Sequence, residues 1–395
     1  MSLTHKFENN NEAFLPFARP NISDEAIKEV VDCLKSGWIT TGPRVQKFEE
    51  ALKDYLKAPF ALAISSATAG LYVALKAIDL EPGDEVITTS MTFAATLNVI
   101  VLAGGKPVLV DVSLDNYNMD VAAVESAITS RTKAIMPVHF AGLPVDLDPL
   151  YDLARKHGLY IIEDAAHAIG AHYKGKIIGS FGDIQVFSFH PNKNMTTGEG
   201  GAITVRDEIL NQKIERQRFH GMDRMAWNRF TKSGSQHYEI VEPAHKFNMM
   251  DIQAALGIHQ LQALDSFIAE RERIVKKYYT LLKDFDYLIL PTMPTYSFKH
   301  AWHLLAPRIN PEATKLSRDD VAQRLKEQNI GTGLHYRAPH LYPFYMETFG
   351  FKKGQFPNAE TIGDSVLSLP LFPGLKDEEF ERVILALKSV FSNKE

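Results

Sequence analysis

The sequence FALAISSATAGLYVALKAI, at residues 60–78, joins a short apolar run to a longer apolar-periodic one. The first five residues suit a β-strand buried on both faces, and the remainder suits an α-helix. Ser65, Ser66 and Thr68 stand where the strand gives way to the helix. Backbone N–H groups at a helix start attract anions, although Ser and Thr are also the ordinary N-capping residues. This stretch therefore predicts a strand–helix unit, with an anion site or a plain N-cap at the junction.

The same alternation of strand-like and helix-like runs continues to about residue 205. It predicts an α/β fold in which helices sandwich a mostly parallel sheet. In such sheets, ligands bind beyond the carboxyl ends of the strands, and the polar motifs described below follow such ends. The strand-like runs are FALAI, DEVITTS, KPVLVDV, KAIMPVHF, LYIIEDAA and DIQVFSFH.

The sequence pattern changes after residue 250. A helical pattern extends from Ile252 to Phe285 and is long enough to connect two domains. The segments that follow predict a smaller α+β domain. We therefore predict a large domain at residues 1–251, with an N-terminal segment able to pack on the small domain. The linking helix and the small C-terminal domain are predicted at residues 252–395.

The charge and cysteine content exclude several classes of protein. The 395-residue chain carries a formal net charge of −5, which gives no electrostatic reason to expect binding to nucleic acid or to an anionic membrane. Cys33 is the only cysteine, so a disulfide framework and a thiolate metal cluster are excluded, which fits a reducing compartment. Because the sequence shows no targeting segment and no membrane-spanning run, it predicts a cytoplasmic protein.

Lys193 lies in SFHPNKNMTTGEGG, residues 188–201, between a strand-like run and a glycine-rich turn. A lysine in a turn is most often a solvated surface residue. A Walker phosphate loop requires its glycines before the lysine, and here they follow it, so that alternative fails. Desolvation or a nearby cation would lower the pKa of the amine and make it a nucleophile. Lys193 is therefore either a surface residue or a nucleophile held on a rigid support.

Asp164 ends an apolar run, where a buried carboxylate needs a partner. It could cap a following helix, bind a metal or pair with a cationic ring nitrogen. His167 would lie on the same side of such a helix, but no HExxH motif or cysteine cluster supplies further zinc ligands, and a core histidine is the simpler interpretation. Phe93 begins another helix-like run, where an aromatic residue more often belongs to the core than to a cofactor site.

These features gain meaning in combination. An anion site, an aromatic ring, a strand-end carboxylate and a later lysine are the groups that pyridoxal phosphate requires. The cofactor takes a lysine for its Schiff base and an acidic partner for its pyridinium nitrogen. The strands between Asp164 and Lys193 can bring the two side chains to opposite edges of one ring.

Several motifs extend this pattern over nearly the whole chain: SGWITTGP, SSATAG, SMTFAATLN, VHFAG, EDAAHAIG, SFHPNKNMTTGEGG, FNMMDIQAA and HAWHL…GTGLHYR. In this order they resemble the DegT-type (DegT/DnrJ/StrS) sugar aminotransferases, a branch of the fold-type I pyridoxal phosphate enzymes. Within that family the chain is similar to the enzymes that make UDP-4-amino-4-deoxy-L-arabinose.

The resemblance implies a role for each matching residue, and it implies no metal. Lys193 would be the Schiff-base lysine and the catalytic acid and base, and Asp164 would be the partner of the pyridine nitrogen. His167 would lie near the ring hydroxyl, and Phe93 would stack on the ring, where the nearest relatives carry Trp. The implied phosphate ligands are Thr68, Ala69, Ser188 and, from a neighbouring subunit, Asn248. The implied sugar-nucleotide contacts are Trp38, Ile39, Thr41, His335 and Tyr336.

The implied enzyme is a homodimer with shared active sites that moves the amino group of L-glutamate to a nucleotide-linked 4-keto sugar and releases 2-oxoglutarate. A UDP-linked sugar for cell-surface polysaccharide or lipid A is expected. The alternative substrate is a UDP- or dTDP-4-keto-6-deoxyhexose, or a 3-keto sugar. Sugar 3-dehydration, which the family performs with a histidine in place of the lysine, is disfavoured by Lys193. A catalytically silent regulator on the same fold is disfavoured by the complete set Asp164, Ser188 and Lys193.

Overall fold

The computed structural model describes residues 13–223 and 237–392 of the chain. The strands in these ranges are β1 (Phe60–Ile64), β2 (Glu85–Thr89), β3 (Lys106–Val110), β4 (Thr132–Met136), β5 (Tyr160–Asp164), β6 (His172–Tyr173), β7 (Lys176–Ile177), β8 (Ile184–Ser188), β9 (Gly201–Val205), β10 (Leu288–Ile289), β11 (Phe298–Lys299) and β12 (Arg308–Ile309). The α-helices are α1 (Asp24–Ser36), α2 (Pro43–Leu56), α3 (Ala67–Ala77), α4 (Ala94–Leu102), α5 (Val121–Ala127), α6 (Leu147–His157), α7 (Glu208–Gln217), α8 (Asp251–Leu282), α9 (Arg318–Glu327), α10 (Pro343–Phe349), α11 (Pro357–Ser365) and α12 (Asp377–Ser392).

The main sheet contains seven strands in the order β1-β9-β8-β5-β4-β2-β3. All of them run parallel except β9, which is antiparallel to its neighbours β1 and β8. The two small sheets are β10-β12 and β11-β6-β7. Strands β8 and β9 are buried at every position, as expected for strands covered on both faces. The mostly parallel α/β fold predicted from the sequence is confirmed.

Two hydrophobic clusters cover opposite faces of this sheet. Successive side chains of a strand point to opposite faces, so Ile161 of β5 packs in one cluster and Ile162 in the other. Helices α2, α6 and the first half of α8 complete the first cluster, and α3, α4 and α7 complete the second. The helices therefore cover both faces of the sheet, and the ends of the strands lie outside these clusters.

Helix α8 is 32 residues long and takes part in two cores. Leu264 packs in the cluster beneath the sheet, whereas Tyr278 packs in a third cluster with α9 and α12. The long helix predicted from Ile252 to Phe285 is therefore present, but it ends at Leu282. Phe285 lies beyond the helix and packs on Phe391, with ring centres 5.6 Å apart. No helix within residues 13–223 and 237–392 combines the length and the apolar character needed to cross a membrane.

The N-terminal segment packs on the last third of the chain. Leu15 donates its N–H to the carbonyl of Asn329 at 2.9 Å and accepts from the N–H of Gly331 at 2.7 Å. Its side chain lies in the third cluster. The domain division after residue 251 stays a prediction, because α8 contributes to cores on both sides of it.

Candidate active site

A cavity of about 480 Å³ lies beyond the carboxyl ends of β1, β2, β5 and β8. Its volume falls within the range typical of small-molecule sites, roughly 300–1,000 Å³. The position is the one at which open parallel sheets bind ligands. The predicted site residues that line it are Thr68, Phe93, Asp164, His167, Ser188, Lys193, His335 and Tyr336.

The other predicted residues lie outside this cavity. They are Ala69, Trp38, Ile39, Thr41 and Asn248. The N–H of Ala69 donates to Ser66 Oγ at 3.1 Å within the first turn of α3. Thr41 and Asn248 line a second cavity of about 230 Å³, and the Asn248 amide donates to Thr41 Oγ1. Trp38 joins them through a 3.2 Å hydrogen bond from Nε1 to the carbonyl of Thr41.

The start of α3 faces the cavity with its polar groups. Ser66 is the N-cap, because its backbone is extended and its side chain accepts from Ala69. Thr68 in the first turn is exposed to the cavity, and Ser188 ends β8 on the neighbouring wall. A helix start flanked by hydroxyl groups suits a phosphate. The N-cap and the anion-site interpretations are therefore compatible.

Gly201 allows β9 to approach the start of α3 closely. A Cβ atom at this position would lie 2.6 Å from the carbonyl oxygen of Phe187 and 2.8 Å from the backbone nitrogen of Ala67. Both are main-chain atoms, which cannot move aside as a flexible side chain would. The absence of a side chain at Gly201 therefore sets the position of the helix start relative to the sheet.

Asp164 is the last residue of β5, and its carboxylate is buried. Its Oδ2 accepts from the Thr96 hydroxyl at 2.8 Å, and its Oδ1 accepts from the N–H of Ala166 at 3.2 Å. Burial raises the pKa of Asp164, and these hydrogen bonds, together with the charge of Lys193, lower it in part. The helix-capping alternative is wrong, because residues 165–170 form turns rather than a helix. A buried carboxylate that lines a cavity suits a cationic ligand group.

Lys193 lies in the loop between β8 and β9, and this loop carries its own hydrogen bonds. The N–H of Phe189 donates to the carbonyl of Gly200 at 2.9 Å, and the N–H of Thr197 donates to the carbonyl of Phe189 at 3.0 Å. The backbone N–H of Lys193 donates to the carbonyl of His190 at 2.9 Å. Burial lowers the pKa of the Lys193 amine to about 8, and the charge of Asp164 raises it in part. Lys193 is therefore not a fully solvated surface lysine.

His303 belongs to this site, although the sequence reasoning did not single it out. Its Nε2 lies 3.4 Å from the Lys193 amine, and its ring centre lies 4.4 Å from that of His167. Burial lowers the pKa of His303, so the ring is neutral. Its Nδ1 has no hydrogen-bond partner among the described residues. The only signal in the sequence was its place in HAWHL, a motif that carried the family resemblance.

A hydrogen bond between His167 and Tyr336 connects the turn after β5 to the last third of the chain. The Nδ1 of His167 accepts from the N–H of Ala141 at 3.2 Å. Burial lowers the pKa of His167, so the neutral ring carries its proton on Nε2 and donates it to the Tyr336 hydroxyl at 3.1 Å. Within the described ranges, no group of three or more metal-ligating side chains accompanies His167.

Phe93 is exposed to the cavity rather than packed in the core. It occupies the N-cap position of α4, and 59% of its surface is accessible. The ring centre lies 5.7 Å from that of Tyr336. The interpretation of Phe93 as a core residue is therefore wrong, and its face is available to a planar ligand.

These groups fit pyridoxal phosphate. A buried carboxylate, a lysine with a lowered pKa and an accessible aromatic face line one cavity. The polar start of α3 and the hydroxyl of Ser188 line the same cavity and suit the phosphate. Together they supply the acidic partner, the amine and the anion site that the cofactor needs.

The chain matches the model of the DegT/DnrJ/EryC1/StrS aminotransferase family over residues 20–388. It is 42% identical over 385 residues to UDP-4-amino-4-deoxy-L-arabinose--oxoglutarate aminotransferase of Shewanella sediminis, covering 96% of this chain and 99% of that protein. It is 43% identical over 378 residues to spore coat polysaccharide biosynthesis protein SpsC of Bacillus subtilis, covering 95% and 97%. The solved PLP form of a Streptococcus pneumoniae protein assigned as a sugar aminotransferase superposes with a TM-score of 0.87 at 34% identity, covering 96% and 99%.

Proposed function

This chain belongs to the DegT/DnrJ/EryC1/StrS aminotransferase family, and we propose that this sugar aminotransferase, which uses pyridoxal phosphate, moves the amino group of L-glutamate to a nucleotide-linked 4-keto sugar. The observation that carries the proposal is the presence of Lys193 and Asp164 in one cavity. We propose a UDP-linked sugar of the UDP-4-amino-4-deoxy-L-arabinose type, used for cell-surface polysaccharide or lipid A. The 42% identity to an enzyme of that name supports this choice.

The predicted cofactor residues that line the cavity each have a proposed task. Asp164 holds the proton of the cofactor's ring nitrogen, since its buried carboxylate is stabilised by a cation. Thr68 and Ser188, together with the start of α3, bind the phosphate. Phe93 packs on the ring of the cofactor, and His167 holds the Tyr336 side chain in place through their hydrogen bond. When bound, pyridoxal phosphate supplies a conjugated ring that accepts an electron pair from the substrate carbon.

Lys193 is the proposed acid and base. With the cofactor bound, its amine would take a proton from the α-carbon of glutamate and hold it for return to the cofactor, and it would move a proton in the opposite direction for the sugar. A pKa of about 8 keeps both the charged and the neutral amine available near neutral pH. The neighbouring His303 is neutral, so it adds no charge that would repel the protonated amine.

We propose a homodimer in which Asn248 serves the neighbouring subunit. Asn248 and Thr41 lie in a cavity separate from that of Lys193 in their own chain. Because neither side chain lines the cavity of Lys193 in its own chain, this separation supports a role in the active site of the neighbouring subunit. Trp38 and Ile39 belong to the same N-terminal loop and are proposed to contact the sugar nucleotide there.

The proposal is tested by product identification. The purified enzyme is offered L-glutamate with a panel of nucleotide-linked keto sugars that differ in position of the keto group, in the sugar and in the nucleotide. We expect a 4-amino sugar, identified by mass and NMR, with a UDP-linked 4-keto pentose as the best substrate. Failure to form an amino sugar from any member of the panel would contradict the proposal.

The matched control is Lys193→Ala. Removal of the amine eliminates proton transfer, which typically contributes about 10²–10⁴-fold, and also the covalent attachment of the cofactor. We expect no measurable turnover and no cofactor fixed by borohydride. Substantial steady-state transamination by this variant would refute the role assigned to Lys193.

A further inference from the structure

Arg337 is a charged residue of the cavity that the proposed chemistry does not use. Its side chain is exposed and lines the same cavity as Lys193. The charged residues of the lining are Asp164, Lys193, Glu199 and Arg337. Because the Lys193 amine must be able to lose its proton, Arg337 is the permanent cation among the described residues that line the cavity.

The guanidinium of Arg337 is held in place without being neutralised. Its Nη2 donates to the carbonyl of Leu341 at 2.9 Å, and its central carbon lies 5.2 Å from the centre of the Tyr342 ring. Within the described ranges, no carboxylate lies within 4.0 Å of its nitrogens. An arginine carries five N–H donors in a fixed fork, so most of its hydrogen-bonding capacity stays available. The side chain is oriented but has no anionic partner.

The backbone places Arg337 beside the reacting groups. Tyr336, the preceding residue, forms the hydrogen bond to His167 and lies 5.7 Å from Phe93 between ring centres. Leu334 and Tyr342, which precede and follow Arg337 in the sequence, also line the cavity. Arg337 therefore lies next to the proposed cofactor residues, in an exposed part of the cavity lining.

Both substrates of the proposed reaction carry an oxyanion at a distance from the reacting carbon. The sugar nucleotide has a diphosphate, and glutamate has a distal carboxylate. Arginine binds both groups through two parallel N–H···O bonds, which fix orientation as well as adding affinity. We propose that Arg337 binds the substrate oxyanion and so determines how the reacting carbon is presented to Lys193. This inference rests on the proposed function.

The test separates the two sources of the oxyanion. In a ping-pong reaction, kcat/KM is obtained separately for the sugar nucleotide and for glutamate. We expect Arg337→Gln to lower at least one of these values by about tenfold or more, as loss of a charge-assisted hydrogen bond predicts. Arg337→Lys should fall between wild type and Arg337→Gln, because it keeps the charge but loses the fork.

A matched control and a second readout accompany the kinetics. Arg206 is an exposed arginine whose Nη1 donates to the carbonyl of Ser180 at 2.7 Å, and it does not line the cavity. Arg206→Gln should leave both kcat/KM values within about twofold of wild type, as expected for surface substitutions. Calorimetric titration of each protein with UDP and with 2-oxoglutarate measures anion binding directly, and the melting temperature checks folding.

The kinetics and the titrations together identify the oxyanion that Arg337 binds. Losses confined to the sugar nucleotide and UDP assign Arg337 to the diphosphate, and losses confined to glutamate and 2-oxoglutarate assign it to the carboxylate. Losses with both assign it to a shared oxyanion site. Unchanged kinetics and unchanged titrations in Arg337→Gln overturn the inference, while the proposed function stands if wild type forms the amino sugar. An inactive wild type would instead overturn the proposed function.

Discussion

Lys193 and Asp164 are ionisable side chains that the fold has partly withdrawn from water. Burial disfavours the charged form of each, so the pKa of the lysine falls to about 8 and the pKa of the aspartate rises. Each charge offsets part of that effect on the other. Burial is therefore the cause of the lowered pKa of Lys193, and the charge of Asp164 keeps that pKa from falling further.

This shift predicts how cofactor uptake depends on pH. Only the neutral amine of Lys193 can attack an aldehyde, and its fraction rises with pH until the pKa of about 8 is passed. The rate at which cofactor-free protein attaches pyridoxal phosphate should therefore rise up to about pH 8 and then level off. Stopped-flow absorbance measures this rate. An increase that continues toward pH 10, as for an ordinary lysine with a pKa of about 10.4, would contradict the shift.

Lys193, Asp164 and Phe93 could be predicted from the sequence because each combines an unusual residue type with a strand end or a helix start. His303 and Thr96 could not. Each meets its partner only because the fold brings distant segments together. Thr96 precedes its partner Asp164 by 68 positions, and His303 follows its partner Lys193 by 110. Nothing in the local sequence around Thr96 distinguishes it from an ordinary helix residue.

At the scale of elements, the site depends on how closely β9 approaches α3. Gly201→Ala would place a methyl group within 3 Å of main-chain atoms of both Phe187 and Ala67. We expect a loss of about 2 kcal/mol in the free energy of unfolding, typical of overpacking, together with weaker binding of the cofactor. Urea denaturation and a titration with pyridoxal phosphate measure the two effects.

Gly158→Ala is the control for this prediction. Gly158 ends α6 with φ of 66°, and a Cβ there would meet no atom within 4 Å. It should cost about 1 kcal/mol through its left-handed backbone alone. Cofactor affinity should not change. Equal cofactor affinities in Gly201→Ala and wild type would show that the contact with α3 does not set the phosphate site.

The elements were largely predictable because strands and helices leave different periodicities. Strands β1 to β5 and the helices between them follow directly from apolar runs. The sequence could not exclude a helix after Asp164, because Ala165, Ala166 and Ala168 all favour helix while the fold makes turns there. The predicted end of α8 was also too late, because the helix ends at Leu282 and Phe285 packs on Phe391 outside it.

At the scale of the whole molecule, the site joins distant parts of the chain. His303 and Tyr336 from the last third of the sequence contact Lys193 and His167, which lie in the segments that follow β8 and β5. The order of the sequence motifs predicted that these distant residues share one site only through the family resemblance. The domain boundary was less predictable, because α8 has no break in its pattern where one core gives way to the next.

The proposed dimer predicts complementation between two defective variants. We expect Lys193→Ala to be inactive and Asn248→Ala to bind the cofactor poorly. In a mixed dimer, one site would combine the intact Lys193 of one subunit with the intact Asn248 of the other. Refolding the two variants together should therefore restore one wild-type site in each mixed dimer.

The comparison is with each variant refolded alone, assayed at the same total concentration. If Asn248 acts within its own chain, no mixed dimer contains a complete site and the mixture gains nothing. Sedimentation velocity run in parallel establishes whether the protein is a dimer at the assay concentration.

The hydrogen-bonded loop that carries Lys193 has a consequence for repeated turnover. In the proposed reaction the Lys193 amine would release the bound cofactor and attach to it again in every cycle. The bonds among Phe189, Thr197 and Gly200 do not involve the cofactor, so we expect them to hold the loop in the same shape when the amine is free. The returning amine is then present at a high effective concentration, which for well-oriented groups reaches about 10⁵–10⁸ M. Recapture of the cofactor is thereby an intramolecular step that competes well with its escape to solvent.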